Sequence, residues 1–149
     1  MGQYQAYPYT ANEATGHFKF QSVGKRGTID KAIELAQIAP GIYNLALLDF
    51  NPVTQDYVDD SITDNGDMSE VLATVMAVIL DHLSRFPRSS IIITGNSPSR
   101  TRLYQIAINK IGDDVKRQLK ILGYQRSEWR IFEPSESYES FLIARNLVD

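Results

Sequence analysis

Two segments of this 149-residue chain carry residue types suited to anion or metal chemistry. They are Asp64-Asn65-Gly66-Asp67 and Ser97-Pro98-Ser99-Arg100-Thr101-Arg102, the second introduced by Gly95. Each reads as a loop feeding the start of a helix. Such a start presents unpaired amides and a partial positive charge, which attract anions. Arg100 and Arg102 add full positive charge where each ordinarily costs ~0.3–1 kcal/mol. Ser97, Ser99 and Thr101 supply hydroxyls, and Gly95 lets backbone approach closely. Three readings fit these residues. The positive pole could hold a phosphate, carboxylate or nucleotide. It could be neutralised by Asp64, Asp67, Asp59 or Asp60, giving an internal salt-bridge network that staples two helix starts. Or the aspartates could hold Mg²⁺ while the arginines hold phosphate, as in a metal-dependent phosphoesterase or nuclease-like enzyme. The string is not a Walker loop, because it lacks the glycine spacing and the lysine.

Other chemistries find little support. With no cysteine there is no disulfide, thiolate nucleophile or Cys-ligated zinc. His17 and His82 stand far apart without metal-ligand spacing, so neither a His-based metal site nor a Ser-His-Asp triad is expected. No residue pattern names a cofactor. The net charge of −3 argues against a surface-wide polyanion footprint, although one basic patch remains compatible with it. Nucleic acid is therefore a disfavoured partner. The longest apolar run, within Val71 to Leu80, is interrupted by Thr74 and falls short of the ~20 residues a bilayer needs. The N-terminus lacks a basic segment followed by an apolar block, so a cytoplasmic location without membrane attachment is expected.

The elements that would position the two segments follow from periodicity. His17 to Val23 alternates as a strand, Gly24-Lys25-Arg26-Gly27 is a hairpin turn, and Thr28 to Ile38 alternates again. Ile42 to Phe50 reads as the most buried strand, and Tyr57 to Thr63 as a fourth. Tyr4, Tyr7 and Tyr9 suggest an extended segment laid along the sheet, or a surface for a protein partner. Asp67 to Phe86 is a helix with Val71, Leu72, Val75, Ile79, Leu83 and Phe86 on one stripe, and Asp67 with Glu70 forms a capping-box variant. His82 would meet its C-terminal carbonyls. Ser90 to Thr94 is a central strand buried on both faces. A second helix runs from the Ser97 cap to about Lys110 with Leu103, Ile106 and Ala107 inward. A third starts at Asp113, uses Val115, Leu119 and Leu122, and is closed by Gly123. Tyr124 to Phe132, carrying Trp129 as a packed or base-stacking aromatic, and Tyr138 to Arg145 are the last strands.

The expected order is β-β-β-β-α-β-α-α-β-β in one domain: an α+β fold with a mostly antiparallel sheet of about six or seven strands and three helices. If Tyr57 to Thr63 and Ser90 to Thr94 flank the long helix as a right-handed crossover, Asp64 and Gly95 lie at the same sheet edge. If Tyr57 to Thr63 is loop, Ile42 to Phe50 takes that place.

The segments Tyr43-Asn44-Leu45-Ala46, Asp64 to Asp67 with Val71 to Val75, Gly95 to Tyr104, Glu128-Trp129 and Tyr138 to Phe141 resemble a bacterial family defined only as a domain of unknown function. The resemblance implies a small, single-domain, cytoplasmic α+β protein and carries no catalytic residues with it. At the level of architecture, antiparallel strands followed by helix, strand and helix are similar to the ribonuclease-H-like arrangement. The nucleases of that fold place a metal-binding carboxylate on the first strand, whereas His17 to Val23 contains none. The leading expectation is a binding or interaction domain, with a hydrolytic enzyme and one half of a two-gene protein pair as alternatives.

Overall fold

Alternation on five strands builds the core. The computed structural model describes residues 5–58 and 64–147. It contains β1 (Thr10–Asn12), β2 (His17–Gly24), β3 (Gly27–Ala39), β4 (Ile42–Asn51) and β5 (Asp56–Val58), followed by α1 (Met68–Arg85), β6 (Ser90–Ile93) and α2 (Pro98–Asn109). The chain then forms α3 (Asp113–Lys116), β7 (Leu119–Gln125), β8 (Glu128–Ile131) and β9 (Ser140–Arg145). The register brings the apolar positions into rows: Phe18, Ile33 and Leu47 lie side by side across β2, β3 and β4. Leu35, Leu45, Ile93 and Phe141 form a second row from β3 to β9. Val71, Val75, Val78, Ile79 and Leu83 of α1 and Tyr104 and Ile108 of α2 close over these rows. Each fully buried aliphatic side chain of this layer contributes about 1.5–3 kcal/mol relative to exposure.

The fold is α+β, with a mixed sheet in the order β1-β2-β3-β4-β6-β9-β7-β8 and β5 paired to the far end of β4. The nine strands among the described residues exceed the expected six or seven: β1 is additional, and β7 takes up part of the expected third helix. Among the described residues α3 is a single turn, and Leu119 and Leu122 belong to β7 rather than to a helical face. β7 and β8 form a hairpin whose turn residues, Arg126 and Ser127, both have positive φ (52° and 65°). That type I′ geometry normally announces itself with Asn-Gly or Gly-Gly, so Arg-Ser conceals it from a sequence reading.

β5 stops at Val58 and runs antiparallel to β4, so it does not flank the crossover; the rest of the expected fourth strand lies outside the described residues. The strand parallel to β6 is β4, with Leu45 opposite Ile93. β6 is central but buried on one face and half-buried on the other. The N-terminal segment packs as expected where it is described: Tyr7 stacks on Phe20 at 5.9 Å, Tyr9 meets Phe18 edge-on at 6.0 Å, and the Tyr7 amide donates to Thr74 Oγ1 on α1 (2.8 Å). Tyr4 lies outside the described residues.

Candidate functional site

The start of α2 is locally determined. Ser97 is extended, its Oγ accepts from the Arg100 amide (3.2 Å), and Pro98 occupies the first helical position. Gly95 is the close approach that brings this helix onto β6. Its amide donates to Thr101 Oγ1 (3.1 Å), and a Cβ there would overlap the Thr101 amide and lie 2.6 Å from Oγ1. Thr101 is buried and also donates to the Ser97 carbonyl (3.1 Å), so its hydroxyl serves the helix start. The buried face of α2 is Thr101, Tyr104, Ala107 and Ile108; Leu103 is half-buried and Ile106 exposed, a rotation of the expected face. The Gly95–Thr101 contact sets that rotation. Ser99 and Arg102 are exposed.

Arg100 turns inward. It lines a cavity of about 120 Å³ with Thr94, Asn96, Tyr104 and the β4 stretch Asn44 to Leu47. Among the described residues β4 pairs with β6 only as far as Leu45, and with β5 only from Asp49 onward. The cleft lies past the carboxyl end of β6, where ligands of parallel layers commonly sit. The Arg100 guanidinium has no carboxylate partner among the described residues; its Nη1 lies 4.0 Å from Met68 Sδ, at the first residue of α1. Tyr104 is only 3% exposed, yet its hydroxyl has no hydrogen-bond partner among the described residues. Burial pushes the Tyr104 pKa up to about 12, against the opposing pull of Arg100, so the hydroxyl stays neutral and able to donate.

The acidic turn is engaged elsewhere. Asp64 accepts from the Gly66 amide through Oδ1 (2.9 Å) and from Arg26 Nε through its carbonyl (3.2 Å). Asn65 is buried; it accepts from the Arg26 amide (2.6 Å) and donates to Ser22 Oγ (3.1 Å) and the Gly27 carbonyl (2.9 Å). Asp67 precedes α1 but makes no side-chain cap. Its Oδ2 instead accepts from Tyr7 (2.6 Å) and Ser22 (2.5 Å), and Oδ1 is buried without a partner among the described residues. The capping box is thus replaced by a long-range lock between the N-terminal segment, the β2–β3 hairpin and α1. No ion pair joins Asp64 or Asp67 to Arg100 or Arg102 among the described residues, although Asp67 adjoins the residue that Arg100 touches. Asp59 and Asp60 lie outside the described residues. Gly24-Lys25-Arg26-Gly27 is the tip of the β2–β3 hairpin that Asn65 fastens.

Beside this lock sits a group absent from the sequence reading. Lys31, fully buried, donates to Asp49 Oδ1 (2.6 Å) directly across β3 and β4. The signal was present: Ser22, Lys31 and Asp49 occupy the same strand parity as Phe20, Ile33 and Leu47, so polar residues stand at core positions on three adjacent strands.

A second, larger cavity of about 380 Å³ lies at the other end of α1, between the Glu13–Gly16 turn and His82. His82 does not reach the helix carbonyls through its ring; the imidazole lies between Tyr43 (4.8 Å) and Phe86 (5.0 Å), with Nε2 buried and unpartnered among the described residues. Burial lowers its pKa below 6.5, opposed by Asp81 and Glu13 and assisted by Arg85. The folded state therefore binds fewer protons than the unfolded chain, and stability is lost as pH falls below about 6.5. Urea unfolding between neutral and mildly acid pH is expected to show this slope, and His82→Gln is expected to flatten it.

Among the described residues no helix is long and apolar enough to cross a membrane. No curated protein and no solved structure matches the chain. A family model does match residues 3–146, nearly the full length, and the chain belongs to the family it defines, the family of unknown function DUF6934.

Proposed function

We propose that this protein is a binding domain for a small anion, a phosphate or carboxylate group, taken into the cleft beside Arg100. The observation that carries the reading is the pairing, in one cavity, of a guanidinium lacking a carboxylate partner among the described residues with the hydroxyl of a largely buried Tyr104 that likewise has none. The dipole of α2 would add to the attraction. The size also discriminates. At about 120 Å³ the space equals roughly four waters of about 30 Å³, enough for one oxyanion and well below the ~300 Å³ at which drug-sized pockets begin. A nucleotide would seat a phosphate there and leave its base outside.

The hydrolytic reading has less support. Neither aspartate it needs lines the Arg100 cleft, and one oxygen of each is already engaged: Asp67 Oδ2 by Tyr7 and Ser22, and Asp64 Oδ1 by the Gly66 amide. β2, the first long strand, carries no carboxylate, and Asp49 on β4 is bound to Lys31. A partner-protein role through the tyrosine-rich segment is also weakened, because Tyr7 and Tyr9 are spent on Phe20, Phe18 and Asp67.

Thermal unfolding in inorganic phosphate, sulfate, malonate and AMP tests the proposal. A ligand at a hundredfold its Kd adds about 2.7 kcal/mol, a rise in Tm of roughly 5–10 °C for a chain of this size. Arg100→Ala is expected to abolish the rise, Tyr104→Phe to reduce it, and Arg102→Ala, altering an exposed side chain, to weaken it only at low salt. Equal melting curves in every anion would leave the reading without support.

A further inference from the structure

We infer that the protein self-associates through β8, pairing with β8 of a second copy antiparallel about Trp129, so that Glu128 of each copy faces Arg130 of the other. Among the described residues β8 ends the sheet and is the longer of its two terminal strands, β1 having three residues. All four β8 residues are exposed, including two large apolar side chains, Trp129 at 40% and Ile131 at 79%. Edges are blunted by shortness, charge, proline or a bulge; β8 is short and carries Glu128 and Arg130, but it has no proline, lysine or bulge.

The register follows from backbone geometry. Phe132 donates its amide to the Ile121 carbonyl (3.0 Å), one step beyond the Leu122–Ile131 pair. Hydrogen-bonded and non-bonded pairs alternate in an antiparallel ladder, so the Leu122–Ile131 and Tyr124–Trp129 pairs are non-bonded. The amides and carbonyls of Trp129 and Ile131 therefore point away from β7, toward the free edge. A second strand must match outward residues to outward residues. Centring on Trp129 does so, placing Trp129 opposite Trp129 and Glu128 opposite Arg130 at both ends. Centring on Arg130 also does so, but sets two arginines face to face. Charge thus selects the first register. Within one copy Glu128 and Arg130 already pair along the strand, so both are held on the same face. The arrangement is self-complementary, as a two-fold dimer requires. Four residues a side make a small interface, below the ~1,200 Å² of stable complexes, so association rises with protein concentration.

Sedimentation velocity of the full chain over a concentration series tests the inference, together with emission of Trp129, the single tryptophan. The 16.8 kDa chain is expected to move toward twice that mass, with a blue shift of Trp129 emission at the same concentrations. Arg130→Glu alone and Glu128→Arg alone each oppose like charges and are expected to weaken association roughly tenfold or more. Mixing those two variants restores opposite pairs across the interface and is expected to recover association. A loss of folding in either variant would show in its own melting curve, and the charge-swapped Glu128→Arg/Arg130→Glu chain, expected to associate as the native one does, covers that case. A wild-type chain that stays at 16.8 kDa throughout, or single variants that associate as well alone as mixed, would overturn the inference.

Discussion

Lys31→Met is expected to destabilise the fold by about 3–5 kcal/mol, because it removes the cation that lies 2.6 Å from the buried Asp49 carboxylate. Lys31 is the largest fully buried side chain, and Asp49 is 5% exposed, so water cannot take over the missing partner. Desolvation of two charges is costly even when they are paired, and the pair itself is therefore weak evidence of stability. Replacing both partners, as in Lys31→Met/Asp49→Leu, is expected to recover most of the loss, since methionine and leucine fit a core already lined by Ile33 and Leu47. Urea denaturation of the two single variants and the double variant gives the coupling directly. A double variant as unstable as Lys31→Met would show that the pair is held for another purpose than mutual neutralisation.

Gly123→Ala should produce the second large loss. A Cβ on this β7 residue would fall 2.5 Å from Cε1 and Cγ of Tyr138, whose ring lies flat against the strand. Tyr138 cannot withdraw cheaply. It packs with Phe132 (5.4 Å) and Phe141 (5.9 Å), and its hydroxyl accepts from the Glu133 amide (2.8 Å). Overpacking of this kind costs about 1–3 kcal/mol, occasionally more, and the lost hydrogen bond adds about 1. Tyr138→Leu alone is also destabilising, yet combining it with Gly123→Ala is expected to cost less than the sum, because the methyl then enters space the ring has left. Additive losses would mean that Gly123 is required for backbone conformation and not for the ring.

Gly123 also marks where reading the chain failed. Placed after Val115, Leu119 and Leu122, it looks like a helix terminator, since apolar spacing of three and four is the helical signature. The segment is a strand because its neighbour β9 supplies a ladder, with Leu122 opposite Leu142 and Gly123 opposite Phe141. A ladder to a strand some twenty residues away has no trace in local spacing. Strands β2, β3 and β4 and helix α1 were legible for the converse reason: each buries one face, and that face writes a period of two or 3.6 into the sequence. The Ser97 cap and its Pro98 were equally legible, being local hydrogen-bond chemistry.

The candidate site divides along the same line. Residue order alone determined an α+β chain without cysteine chemistry, with arginines set into the first turns of a serine-capped helix. Only tertiary structure decided which of those charges faces inward, that Tyr104 joins Arg100, and that Asp67 serves Tyr7 and Ser22 instead of its own helix. It also brought Lys31 to Asp49. Short-range preferences are set by neighbours along the chain and survive in its pattern. The direction a polar side chain takes depends on partners from distant strands, and those partners exist only once the sheet has closed.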